Sequence, residues 1–377
     1  MRFLTGVVIA AVTAGLAGPA GPAGAMSAAS DAEVEQVVAQ EIHKVLAPGG
    51  AAVAVRIDGR TLFFNFGLAD CTSKRPITSD SLFNLASVGK VFDVTLLALA
   101  VEQGAVAFDD PVAKYIAELR QGGDIRTVTL GQLVSFTSGF DLPQDHPPWP
   151  PAYYTWRKFV RTLNNWKIDK DYQRGQQYLY SHAGFMLLHV ALERRFGMPY
   201  RTLLEQQLLR RLGLSSTTLP LRGANGDGLL APLLKRRAVQ GYSGNGNPIG
   251  RPGNMQGYYH WPGTGQMYSS ARDMAAFLTL QLGEGSDDPL VAAAVEVTHR
   301  EVARGEPHIM QAQAWEVHHV AETIVDKNGG LNNTTTYIGM IPSRRLGVVI
   351  LINRGELNGR DLGHPILLRL ARSESGE

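Results

Sequence analysis

The chain has 377 residues, of which 44% are hydrophobic and 19% are charged, a composition that predicts a folded globular protein with a substantial core. Its 36 lysines and arginines nearly balance 34 aspartates and glutamates without long runs of like charge, which argues against a nucleic-acid-binding protein. The single cysteine, Cys71, excludes an intramolecular disulfide, and its place after a predicted strand favours a structural residue over a reactive thiol.

The first 25 residues have the pattern of a secretory signal. Arg2 supplies a positive start, the apolar stretch 3–16 is short for a bilayer span, and residues 23–25 are small, as at a cleavage site. A retained membrane anchor is the alternative. We expect an exported protein, periplasmic or secreted, that is mature from about Met26 and has no membrane span after signal removal.

Strand patterns lie near both ends of the chain, and helical patterns lie between them. Asp58-Gly59, between two β-rich runs, is a strong hairpin signal. The elements predicted from these patterns are, in chain order, a helix over 31–46, strands over 51–57 and 61–69, strands over 334–342 and 346–353, and a helix over 365–371.

The middle of the chain, 111–274, combines helical patterns such as 184–197 and 200–213 with loops rich in proline and aromatic residues. We therefore predict an α+β fold. Its antiparallel sheet would be formed from both chain ends, 26–110 and 275–377, flanked by helices and carrying a mostly helical inserted region, with a cleft between the two.

The first candidate motif is Ser87-Val88-Gly89-Lys90. In a helix that starts near Ser87, residues three apart share a face, so the Lys90 amine would lie near the hydroxyl. A serine hydroxyl is a poor nucleophile unless a base accepts its proton, and a lysine amine can do so where burial or a nearby cation lowers its pKa. By itself the motif is weak, because about one such match arises by accident in a chain of this length.

The second candidate motif is Tyr180-Ser181-His182. Two nearby ammonium groups would favour a tyrosine phenolate, which could then serve as a general base. Alternatively, Ser181 is only a helix N-cap and Tyr180 a packed aromatic residue. A similar triplet at 258–260 lies in a loop rich in glycine and proline and ranks lower.

The third candidate motif is Lys327-Asn328-Gly329-Gly330, directly before a predicted strand. A lysine beside a cleft supplies a fixed positive charge, and glycines let the backbone approach a ligand closely with its N–H groups. A solvated turn is the alternative.

In this order the three motifs resemble those of the active-site serine penicillin-recognising enzymes, most closely the class C, AmpC-type β-lactamases. Further segments along nearly the whole mature chain are similar to that family, namely "LGQLVSFTSGF", "GQMYSSARDMAAFL" and "IGMIPSRRLGVVILIN". The resemblance implies the serine β-lactamase/D-alanyl carboxypeptidase-like fold, and it suggests an imipenem-hydrolysing branch.

The resemblance also implies roles for individual residues. Ser87 would attack the substrate carbonyl, Lys90 and Tyr180 would share the proton transfers, and Lys327 would keep Tyr180 reactive. The backbone N–H groups of Ser87 and Gly330 would form the oxyanion hole. The substrate-binding residues implied are His182, Asn328, Gly329, Arg354, Asn358 and Gln144.

Two positions depart from the family pattern, since the family most often has asparagine at the position of His182 and threonine at that of Asn328. The Asn328 amide can still donate to a carboxylate. A protonated His182 would be a third cation among two lysines, and we expect activity to fall at acidic pH for that reason.

The function implied is hydrolysis of β-lactams through an acyl-enzyme on Ser87, without a required cofactor or metal. D-alanyl-D-alanine carboxypeptidase, D-aminopeptidase or esterase activity is the close alternative, and a penicillin-binding protein without turnover is another. The partner is a small β-lactam or D-alanyl peptide, and we expect a monomer.

A zinc site is the remaining alternative, with His182 and His260 as candidate ligands. His318 and His319 would point to opposite faces of a strand, so both could not easily bind one ion.

Overall fold

The computed structural model describes residues 29–46, 48–143, 145, 155–222, 228–253, 267–305 and 309–375. Three predictions concern residues outside this set, namely the signal segment, Gln144 and His260.

The helices are α1 Asp31–Ile42, α2 Lys90–Glu102, α3 Leu130–Val134, α4 Trp156–Asn165, α5 His182–Phe196, α6 Tyr200–Leu204, α7 Pro232–Lys235, α8 Ala271–Gln281, α9 Pro289–Thr298 and α10 Arg360–Ser375. The strands are β1 Gly50–Ile57, β2 Arg60–Asp70, β3 Arg75–Pro76, β4 Phe83–Asn84, β5 Leu221–Arg222, β6 Gly228–Leu229, β7 Gly241–Tyr242, β8 Pro248–Ile249, β9 Tyr268–Ser269, β10 Ala303–Arg304, β11 Ile309–Gln311, β12 Glu316–His319, β13 Thr323–Leu331, β14 Thr334–Ile341 and β15 Leu346–Ile352.

Within the described residues, strands from both chain ends form one nine-stranded sheet in the order β10-β11-β12-β13-β14-β15-β1-β2-β3. Its paired neighbours are antiparallel, and β1 from the first part of the chain pairs with β15 from the last. The α+β fold predicted from the sequence is therefore confirmed.

The β1–β2 hairpin turns at the predicted dipeptide. Asp58 and Gly59 both have positive φ angles, 48° and 72°, a combination that matches the right-handed twist of the paired strands. The four strands predicted near the chain ends occur within about one residue of their predicted bounds. The last helix differs, because α10 begins at Arg360 and includes Pro365, where the sequence prediction placed its start.

Helices cover both faces of the central sheet because side chains alternate between the faces along each strand. On β1, Val53 and Val55 belong to a core shared with α1 and α10. Ala52 and Ala54 belong to the larger core that contains α2, α5 and α8. Burial on both faces explains why β15 and most of β1 are continuous apolar runs and why every residue of β14 is buried.

The helices of the larger core place the candidate motifs. Nearly all residues of α2 are buried, including Lys90 at its first position, and α5 is buried from Ala183 to His189. In the part of the chain that the structure describes, none of the helices has the length and apolar character needed to cross a membrane.

Candidate active site

Ser87 lies on a 3-10 turn, Ala86–Gly89, that leads directly into α2. Ala86 has a φ of 48°, a left-handed conformation that costs a non-glycine residue about 1 kcal/mol or more. Hydrogen bonds support this turn, because the Ala86 N–H donates to Asn84 Oδ1 over 2.9 Å and Thr336 Oγ1 donates to the Leu85 carbonyl over 2.7 Å. The turn that carries the nucleophile candidate is therefore held in place by residues of β4 and β14.

Tyr180 directly contacts Ser87. The Ser87 Oγ and the Tyr180 hydroxyl oxygen are 2.7 Å apart, so either oxygen could be the donor. The Tyr180 ring stacks on Phe136 with 4.6 Å between centroids. Ser181 caps α5 by accepting the Gly184 N–H over 3.2 Å. Ser181 is thus a helix cap that places the Tyr180 phenol beside Ser87, and the role of Tyr180 as a general base stays a prediction.

Two buried lysines flank the Tyr180 ring. Lys90 is 1% exposed and Lys327 on β13 is 2% exposed. Their Nζ atoms lie 5.3 and 5.4 Å from the ring centroid. Burial raises the pKa of the Tyr180 phenol, but the charges of Lys90 and Lys327 and the bond to Ser87 outweigh burial and lower the pKa below its ordinary value.

Gly329 brings β13 against the nucleophile turn. A Cβ at this position would lie 2.7 Å from the Leu85 carbonyl oxygen and 3.0 Å from the Val88 nitrogen. Only glycine allows that approach without displacing the backbone. Gly330, the next residue, is exposed, and a Cβ there would meet nothing within 4 Å. The two predicted oxyanion donors, Ser87 and Gly330, therefore belong to segments in contact.

His182 is the first residue of α5, and its ring meets the Tyr180 ring edge-on with 5.2 Å between centroids. Burial lowers the pKa of the imidazole, and the charges of Lys90 and Lys327 lower it further, to well below its ordinary value. His182 is therefore neutral near pH 7. A loss of activity by its protonation would need a pH well below the ordinary histidine range.

Asn328 and Arg354, both predicted to contact substrate, make hydrogen bonds within the protein. Side chains alternate along β13, so Asn328 points to the face opposite Lys327, where its Oδ1 accepts the Gly359 N–H over 3.0 Å. Arg354 donates to the carbonyls of Val45 and Gly244 over 3.3 and 2.7 Å. The predicted contacts of both side chains with a substrate carboxylate stay predictions.

Asn358 is exposed just before α10. Its amide donates to Asp361 over 2.9 Å, and its Oδ1 accepts the Arg360 N–H over 3.2 Å. Its predicted contact with substrate stays a prediction, as does that of Gln144.

Asp145 is a member of the site that the sequence analysis missed. Its carboxylate accepts hydrogen bonds from the Ser181 hydroxyl and from the N–H groups of His182 and Ala183, over 3.1, 2.6 and 3.1 Å. Burial raises the pKa of this carboxyl despite those bonds. The bonds join segments more than 35 residues apart, a relation that no local pattern encodes.

Phe136 was also missed, although it lies in the "SFTSGF" segment. It has a φ of 56°, stacks on Tyr180, and its ring centroid lies 5.2 Å from Lys327 Nζ. A strained non-glycine residue at such a place is typical of functional sites.

A group of charged and histidine side chains lies behind Lys327, on β12, β13 and α10. Donor atoms of His318, Asp326 and His364 lie within 4.8 Å of one another, the spacing of a metal site. However, Arg360 donates to both Asp326 carboxylate oxygens over 2.9 Å. That cation already neutralises the carboxylate, and metal chemistry gains no support from this donor set. His319, as predicted, points away from His318 and is exposed.

The fold and the arrangement around Ser87 together define a class of protein. In it a serine, a tyrosine and two lysines meet where the sheet contacts the helices. The sequence profile of the beta-lactamase family matches residues 35–373, nearly the whole chain. The chain belongs to this family of hydrolases.

Related proteins and solved structures align with this chain over most of their length. A beta-lactamase of Lysobacter lactamgenus is 26% identical over 371 residues, which cover 89% of this chain and 91% of that protein. The structure of a class C beta lactamase from Rhodobacter sphaeroides is 27% identical with a TM-score of 0.72, over 92% of this chain and 98% of the other. A Beta-Lactamase/D-Alanine Carboxypeptidase from Pseudomonas syringae, at 22% identity, has the same fold with a TM-score of 0.75 over 91% and 99%.

Proposed function

We propose that this protein is an exported serine β-lactamase that hydrolyses the β-lactam amide through an acyl-enzyme on Ser87. The observation that carries the proposal is the 2.7 Å contact between Ser87 Oγ and the Tyr180 hydroxyl oxygen, with two buried lysines beside the Tyr180 ring. A serine needs a base within hydrogen-bond reach, and the lowered pKa of the Tyr180 phenol suits it to that role.

In acylation, the Tyr180 phenolate takes the Ser87 hydroxyl proton as Oγ attacks the lactam carbonyl carbon. The carbonyl oxygen gains negative charge, which the backbone N–H groups of Ser87 and Gly330 would stabilise by hydrogen bonds. When the carbon–nitrogen bond breaks, the leaving nitrogen receives the proton from the Tyr180 hydroxyl. Lys90 and Lys327 stabilise the phenolate that this step restores.

In deacylation, the restored phenolate removes a proton from water as the water oxygen attacks the ester carbon. Ser87 Oγ then leaves and takes the proton from Tyr180, so that the free enzyme is regenerated. No step requires a cofactor, and His182 contributes a neutral ring at the edge of the base. We include carbapenems among the substrates because of the sequence resemblance to an imipenem-hydrolysing branch, and the changed residues His182 and Asn328 could suit such an unusual substrate.

The same residues could cleave a D-alanyl peptide, because acylation of a serine is common to both reactions. The Pseudomonas syringae structure, whose name includes both activities, motivates this second candidate. The two candidates differ in how fast water removes the acyl group from Ser87.

The test is intact-protein mass spectrometry after brief mixing with a penicillin, a cephalosporin and a carbapenem, with Ser87→Ala as the control. An adduct that disappears as hydrolysed drug accumulates would support a β-lactamase and rank its substrates. A lasting adduct, together with release of D-alanine from a D-alanyl-D-alanine peptide, would favour the carboxypeptidase. No adduct on the wild-type protein, or turnover abolished by a chelator, would overturn the serine pathway.

A further inference from the structure

Lys327 is bound to a charged network that the proposed reaction does not use. Its Nζ donates to Glu316 Oε1 over 3.1 Å. The second oxygen of Glu316 accepts from Arg360 over 2.6 Å, and Arg360 also donates to both oxygens of Asp326 over 2.9 Å. Arg360 thus bridges two carboxylates, one of which is the direct counter-ion of Lys327.

The network is largely withdrawn from solvent. Asp326 is 0% exposed, and the side chains of Glu316 and Arg360 are 15% and 22% exposed. Two histidines complete it, since His318 and His364 contact the Asp326 oxygens over 3.2 and 2.7 Å. Burial raises the pKa of the Asp326 carboxyl, but the bonds from both histidines and Arg360 outweigh burial and hold the pKa far below its ordinary value.

The negative charge of Glu316 reduces the electrostatic stabilisation that Lys327 gives to the Tyr180 phenolate. Burial raises the pKa of Glu316, but Lys327 and Arg360 outweigh burial and keep the carboxyl ionised. A full negative charge on Glu316 would neutralise Lys327 and weaken its effect on the phenol. Arg360 weakens this neutralisation, because the Glu316 carboxylate interacts with the positive charges of both Arg360 and Lys327.

Tyr180 is faced by few other charged or titratable groups. Lys90 approaches it from α2, Lys327 from β13 and His182 from α5. Since His182 is neutral, the two lysines dominate the field at the phenol, and only Lys327 has a bonded counter-ion among the contacts of the described residues.

We propose that Arg360, held by Asp326, is a positioning residue that shares Glu316 with Lys327 and thereby sets the pH at which Tyr180 ionises. This inference rests on the proposed role of Tyr180 as the base. It predicts opposite effects from two neutral replacements. Glu316→Gln leaves Lys327 unbalanced and lowers the ionisation pH of Tyr180, whereas Arg360→Gln frees Glu316 to neutralise Lys327 and raises it.

The first readout does not depend on substrate. Tyrosines carrying a ¹³Cζ label are titrated by NMR, and the Tyr180 signal among the 12 tyrosines is assigned with Tyr180→Phe. We expect shifts of about half a pH unit or more, downward in Glu316→Gln and upward in Arg360→Gln.

The second readout is the pH profile of acylation by a β-lactam, whose acidic limb should move in the same directions. Arg360→Lys keeps the positive charge and should restore most of the wild-type profile. Arg369→Gln is the matched control, because Arg369 lies on the same helix and contacts Glu41 and Gln40 on α1. Its profile should be that of the wild type.

Unshifted titrations, or shifts of the same sign in both Gln variants, would overturn the inference, since a merely structural network would loosen the site equally in both. Opposite shifts of the Tyr180 signal without any acylation would support the network and refute the proposed function. If circular dichroism shows that Arg360→Gln does not fold, the direction of the Tyr180 titration shift in Glu316→Gln tests the inference by itself. An upward or absent shift there overturns the inference.

Discussion

Replacing Lys327 with methionine tests whether electrostatics activate Tyr180. The lysine Nζ lies 5.4 Å from the Tyr180 ring centroid. Two unit charges at that separation interact by about 3 kcal/mol at an effective dielectric constant of about 20, equivalent to about two pKa units. Glu316, 3.1 Å from the same Nζ, offsets part of this charge, so we expect the Tyr180 pKa to rise by about one to two units.

The sign of the effect on activity follows from the role of the base. A phenol acts as a base only when it is deprotonated, so kcat/KM rises with pH through the Tyr180 pKa. A higher pKa moves this acidic limb to higher pH. Below the wild-type pKa we expect kcat/KM to fall about 10- to 100-fold, and at pH values above the raised pKa most of the activity should return.

The assay is the pH profile of kcat/KM for a chromogenic cephalosporin, from about pH 5 to about pH 10. Lys44→Met is the matched control, because Lys44 follows α1 on the other face of the sheet and is 61% exposed. Its profile should match the wild type. An equal loss at every pH in Lys327→Met, with an unmoved acidic limb, would refute the electrostatic reasoning and leave Lys327 a substrate-binding residue.

Three further substitutions test individual contacts. Gly329→Ala places a Cβ 2.7 Å from the Leu85 carbonyl oxygen, and the displaced nucleophile turn should reduce kcat about 100-fold; unchanged kcat would contradict this contact. Asp145→Ala removes the acceptor of the Ser181 hydroxyl and of the first N–H groups of α5, and should lower the free energy of unfolding by about 1–2 kcal/mol in a urea titration. We expect kcat/KM to fall as well, because Tyr180 directly precedes Ser181, and an unchanged denaturation midpoint would argue against this role of Asp145. His182→Asn should have the same pH profile as the wild type above about pH 6, because the wild-type imidazole is neutral there, and a profile that diverges would show that it titrates.

The sequence predicted the elements whose signals are local. Runs of β-favouring residues identified β1, β2, β14 and β15, and Asp58-Gly59 identified a hairpin turn whose two residues have positive φ angles. Motif order and resemblance also nominated Ser87, Lys90, Tyr180 and Lys327, which the structure brings together. These features depend on residue type and spacing, so they can be recognised from a single amino-acid sequence.

Tertiary structure alone decided how those four residues are supported. The Asp145 bonds to the start of α5 and the bridge from Glu316 through Arg360 to Asp326 join segments that are tens of residues apart. The contact of Asn328 Oδ1 with the Gly359 N–H likewise joins segments that are distant in sequence. A charge interacts with whatever the fold brings within a few ångströms, regardless of sequence separation. The sequence could therefore name the candidate base and its two lysines, but not the carboxylates and the arginine that surround Lys327.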